Sequence, residues 1–170
     1  MKSLSKINSY TPGAQQGFTL IELLVVIGII AVLAAIVILA INPARQFRKA
    51  NDSQRISNVN AILNAIGQYT VDQKGSLPAP ITTSLLGIKK TSGADLCALL
   101  VPTYIPSFPI DPKTGVDPAT DKNDGQISSS ECASATYDTG YRVIKDANGR
   151  VTVSANGEEP AGTDNISITR

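Results

Sequence analysis

Apolar residues fill the chain almost without interruption from Phe18 to Ile41, and residues 23–41 carry no charge. At 1.5 Å per residue, such a helix covers close to the roughly 30 Å of a bilayer's hydrocarbon. Beyond Pro43 the pattern changes. Phe47, Ile56, Val59, Ile62, Leu63, Ile66 and Tyr69 recur largely at intervals of three and four, with Arg48, Asp52, Asn60 and Gln68 between them. This spacing predicts a one-faced amphipathic helix to about residue 71, with a kink or local melting at Pro43, which has no N–H for the carbonyl of Leu39. Gly75, Pro78 and Pro80 end the helical pattern, and a short helix is expected within 93–100 before Pro102. The Pro-rich stretch 104–112 reads as an extended surface loop. Residues 141–145 and 150–154 alternate apolar and polar around Asp146-Ala147-Asn148-Gly149, whose Asn-Gly accepts positive φ, so they predict a hairpin. Tyr137 and Ile166-Ser167-Ile168 add candidate strands, and 156–164 is expected to be a mobile loop. The fold class is α+β, a long N-terminal helix laid on a small antiparallel sheet.

Composition narrows the function classes. Lys and Arg number 15 against 14 Asp and Glu, and there is no histidine. Histidine-based acid–base catalysis and His-containing metal sites are thereby excluded, and no phosphate loop, nucleophile elbow or Cys-x-x-Cys occurs. The chain reads as a non-enzyme. Cys97 and Cys132 both follow the apolar segment, an arrangement that suits a disulfide made in an oxidising compartment, with two buried free thiols as the alternative. A bridge would stabilise the fold by on the order of 4 kcal/mol in the chain-entropy model.

The informative anomaly is Glu22, a lone carboxylate near the start of the apolar run. An acidic side chain at the centre of a membrane helix costs roughly 2.5 to 3.5 kcal/mol on insertion scales. The hexapeptide Gly17-Phe18-Thr19-Leu20-Ile21-Glu22 resembles the processing site of type IV prepilins and type II secretion pseudopilins. That resemblance implies a type IV pilin fold, cleavage by a prepilin peptidase between Gly17 and Phe18, and N-methylation of Phe18. It also implies a charge pair between Glu22 and the Phe18 amine of a neighbouring subunit. The implied organisation is a leader at 1–17, a transmembrane and assembly helix at 18–41, its amphipathic continuation at 42–71, and an exported globular domain at 72–170. Self-association, an inner-membrane assembly platform with its ATPase, and membrane lipid are the implied partners. The protein would lie in the cytoplasmic membrane, leader inside, before entering a pilus or pseudopilus. The Pro and Asp-Pro segment resembles one in major pseudopilins and some Gram-positive pilins, and tips the resemblance slightly toward the pseudopilins.

Orientation by charge is divided. Lys2 and Lys6 favour a cytoplasmic leader, whereas Arg45, Arg48 and Lys49 follow the span directly and favour the opposite topology. Together with Arg55 these bases invite contact with anionic headgroups or with DNA, against the plainer reading of a polar helix face; no interleaved aromatics support DNA. Asp117, Asp121 and Asp124 lie among turn formers and form a candidate Ca²⁺ ligand set, with ordinary solvated turns as the alternative; no other cofactor is indicated. Rival readings are a monomeric single-pass protein with an exported binding domain, and an exported enzyme released near Ala35.

Overall fold

The computed structural model describes residues 17–118 and 124–170. They divide into two units, one ending at Asn42 and the other running Pro43–Arg170.

The first unit is helix α1, Leu20–Ile41, and the residues leading into it. Its apolar side chains are exposed, from Phe18 at 91% to Ile41 at 51%, and the stretch Leu20–Ile38 is long and apolar enough to cross a membrane. Asn42 caps the C-terminus in the left-handed region, φ 46° and ψ 77°. Asn is among the few residues that tolerate this conformation, and a proline one position later is a common sequel. The expected helix is thus two helices: Pro43 occupies the first position of α2, where its fixed φ suits the geometry and its missing N–H goes unused.

The second unit is built on α2, Pro43–Asp72. Then come β1 (Leu86–Lys89), α3 (Cys97–Leu100), β2 (Phe108–Pro109), β3 (Gln126–Ile127), a 3₁₀ turn at Glu131–Ala133, β4 (Asp138–Lys145), β5 (Val151–Glu158) and β6 (Ala161–Thr169). The main sheet is antiparallel in the order β1-β4-β5-β6, and β2 pairs with β3 separately. Helix α2 packs across β5 and β6. Val59, Ile62, Leu63 and Ile66 from the helix share a core with Tyr141 and Val143 of β4 and Val151, Val153 and Ala155 of β5. Phe47 and Ile56, expected on the buried stripe, are 72% and 47% exposed.

The hairpin forms where alternation placed it, with Val143 opposite Val153 and Gly149 at φ 81°. Asp146 closes the turn by accepting the amides of Asn148 and Arg150, each at 2.8 Å. One expectation is corrected. Residues 156–164 are not a loop, because β5 runs on to Glu158 and β6 begins at Ala161, with Glu158 facing Ala161 and Gly157 facing Gly162. Polar contacts hold this extension: Asn165 accepts from the Gly157 amide at 2.6 Å and donates to the Pro160 carbonyl at 2.7 Å. Such cross-strand bonds leave no trace in an apolar pattern. The proline-rich stretch is likewise partly a strand, with Phe108 buried opposite Ile127.

Cys97 and Cys132 are joined in a disulfide, and both are buried. Within the loop they close lies Asp111, whose amide donates to the Thr139 carbonyl at 2.8 Å. Gly140 permits that approach: it sits at φ 77°, and a Cβ there would come within 2.6 Å of Asp111 Cβ. Gly140→Ala is therefore expected to lower stability by at least about 1 to 2 kcal/mol from the left-handed backbone alone, measured as a fall of several degrees in the thermal midpoint.

Candidate assembly and processing site

The start of α1 is fixed by Thr19 and Glu22. Thr19 is the N-cap, with extended φ −79° and ψ 152°, and its hydroxyl accepts from the Glu22 amide at 3.2 Å. Glu22 reaches back, and its Oε2 accepts from the Thr19 amide at 2.8 Å and from the Thr19 hydroxyl at 2.6 Å. This is a complete capping box, which satisfies helix-end donors that lipid could not. The carboxylate also lies at the positive end of the helix dipole. Glu22 therefore has local partners that a reading of hydropathy alone does not show. They are hydrogen-bond donors without a counter-charge, and among the described residues no salt bridge reaches Glu22.

Gly17 and Phe18 precede the cap in irregular, exposed backbone. A Cβ on Gly17 would meet nothing within 4 Å, so nothing inside the described chain requires glycine there. The same holds for Gly28, in the middle of α1. A mid-helix glycine costs about 1 kcal/mol relative to alanine, and in membranes small residues of this kind let helix backbones approach.

The family model for the prokaryotic N-terminal methylation motif matches residues 13–41, a span that contains the Gly17–Glu22 hexapeptide and the whole of α1. The chain is type IV pilin-like. It is also 38% identical, over 76 residues, to the type IV wide pilus major component PilA4 of Thermus thermophilus. That match covers 45% of this chain and 56% of the relative, so the chain spans little more than half of the curated protein it resembles. No solved structure matches it.

The remaining candidate residues of this pilin-like chain lie in the second unit. Asp117 and Asp124 are described and Asp121 lies outside the described residues; Asp124 accepts the Gln126 amide at 3.1 Å, an ordinary Asx turn. Among the described residues no group of three His, Cys, Asp or Glu side chains is placed to hold a metal ion.

Of the four basic residues after the span, Lys49 is exposed and the three arginines are paired with acids. Arg45 and Arg48 both bond Glu159, at 3.2 and 3.1 Å. Arg55 is 1% exposed and is the largest fully buried side chain of the unit. Its guanidinium meets three carboxylates from three segments: Asp111 through Nε at 2.6 Å and Nη2 at 3.1 Å, and Asp52 and Glu158 through Nη1 at 2.8 Å each. Lys113 also reaches Glu158, at 3.4 Å. Sequence reasoning missed this cluster, although a signal existed. Arg55 stands four residues before Val59 and seven before Ile62, so a charge interrupts the buried stripe.

Burial by itself would push the Asp111 carboxyl up. The Arg55 guanidinium and the amides of Lys113 and Thr114 outweigh it and hold Asp111 below the usual carboxylate range. Glu158 is lowered too, by Asn51 first and then Arg55. Burial raises the neighbouring Tyr141 hydroxyl to about 12, so it stays protonated while accepting from Asn58 at 2.8 Å.

A carboxyl lowered in the folded state contributes stability that is present above its unfolded pKa and lost as pH falls through the folded value. Acidification below about pH 4, the ordinary range for aspartate, should therefore destabilise the wild-type chain more steeply than Asp111→Asn. The two stability curves should converge at the acid end in thermal melts across pH. Arg55→Ala, which strands buried carboxylates, is expected to cost about 3 to 5 kcal/mol at neutral pH.

Proposed function

We propose that this chain is the structural subunit of a type IV pilus-like filament, cut after Gly17, methylated at Phe18 and polymerised through residues 18–41. The observation that carries the reading is α1 itself: its apolar side chains are exposed along the helix, and the carboxylate in its first turn has no counter-charge among the described residues. Lipid can solvate the first property but not the second. Cleavage before Phe18 would create an amine within one helical turn of Glu22, and the Phe18 amine of an adjoining subunit would supply the same charge in the assembled state. Such a pair fixes axial register more than it adds stability.

Gly17 supports the processing step, since its missing side chain serves no internal packing and leaves the backbone open to a peptidase. The similarity to a wide pilus major component favours a pilus over the pseudopilus suggested by the Pro and Asp-Pro segment. The leader 1–17 would stay cytoplasmic and the body beyond residue 42 would be exported, with a prepilin peptidase and an assembly platform and ATPase as partners. The Cys97–Cys132 bridge suits an oxidising destination.

Mass spectrometry of the mature protein should show an N-terminus at methylated Phe18; an intact leader in cells with an active peptidase would overturn the proposal. Glu22→Gln separates the two roles of the carboxylate, because glutamine retains the capping-box acceptor and loses the charge. The variant should insert and be processed normally while filament yield, counted by electron microscopy, falls at least about tenfold, the equivalent of roughly 1.4 kcal/mol per subunit contact.

A further inference from the structure

Helix α2 is fastened to its body in two unlike ways. From Arg55 onward it contributes buried residues, including Val59, Ile62, Leu63 and Ile66. Residues 43–54 contribute none, and Arg48, Asn51 and Asp52 are only half-buried. What reaches this stretch is the turn between β5 and β6. Glu159 takes Arg45 and Arg48 on its two oxygens, at 3.2 and 3.1 Å. Glu158 accepts from Asn51 at 3.0 Å. Asp52 returns the contact by accepting the amides of Glu158, at 2.9 Å, and Glu159, at 2.8 Å. Every one of these contacts is polar, and the Glu159 arms are partly exposed, with Arg45 at 53% and Arg48 at 39%.

We infer that the β5–β6 turn is a releasable clasp over the start of α2, able to open at Glu159 and free the turns around Arg45 and Arg48 while Asp52 and Glu158 stay paired with Arg55 and the apolar core stays closed. The argument is one of magnitudes. Half-exposed ion pairs hold weakly and are screened by salt, whereas the core beneath residues 55–66 is apolar and salt-indifferent. Two parts of one helix thus have separate opening free energies, the condition for local rather than global unfolding. This inference does not depend on filament formation.

Hydrogen exchange with mass spectrometric readout on the full-length chain in lipid nanodiscs tests it. Glu159→Gln should speed exchange in residues 43–54 about three- to fivefold, the size expected for loss of partly exposed pairs, and leave residues 59–66 unchanged. Raising salt from about 0.1 to about 1 M should act in the same direction on the wild type. The full charge swap, Arg45→Glu and Arg48→Glu with Glu159→Arg, should restore slow exchange. Unchanged exchange in 43–54 in Glu159→Gln, or acceleration of 59–66 in step with it, would overturn the clasp.

Discussion

A guanidinium out of water needs its charge answered on every side, and that requirement at Arg55 organises the second unit. Desolvating an arginine costs several kcal/mol unless carboxylates surround it in good geometry. The chain supplies Asp52 from the same helix, Asp111 from the disulfide-closed loop and Glu158 from the end of β5. Each partner is itself held. Amides of Lys113 and Thr114 fix Asp111, Gly140 lets its loop lie against β4, and the amides of residues 158 and 159 fix Asp52. Hydrophobic contacts alone would tolerate a sliding helix; a three-pronged charge constellation does not. Arg55 thus ties helix, loop and hairpin to one another through a single side chain.

The two units handle charge in opposite ways. In the body, acids and bases are matched internally, from Arg55 outward to Glu159 with Arg45 and Arg48. In α1, the carboxylate of Glu22 is given donors by Thr19 and, among the described residues, no cation. Local hydrogen bonds satisfy its geometry without answering its charge.

What the sequence disclosed follows the strength of each periodic signal. The apolar run of α1, the buried stripe from Val59 to Ile66, the hairpin around Asn148-Gly149 and the strand at 166–168 are written in local pattern, and the structure has all four. The prepilin-like hexapeptide was equally plain, because it is contiguous. Hidden were features made by distant polar residues: the β5–β6 extension stitched by Asn165, strand β1 at Leu86–Lys89, and the Arg55 cluster, whose partners stand 3, 56 and 103 residues away. The capping box escaped notice for a different reason. Its Thr-x-x-Glu spacing is contiguous, but the same glutamate is costly in lipid and valuable at a helix end, and hydropathy registers only the cost.

The joint at Asn42 and Pro43 has a mechanical side. A helix under tension shares load along its ladder of backbone hydrogen bonds, and that ladder cannot run through a left-handed residue followed by one lacking an N–H. Pulling along the chain would concentrate strain at this point, and the first fasteners to feel it in the body are those at Arg45 and Arg48. A load applied there would meet a break in the helical hydrogen-bond ladder and a few half-exposed ion pairs before any buried strand.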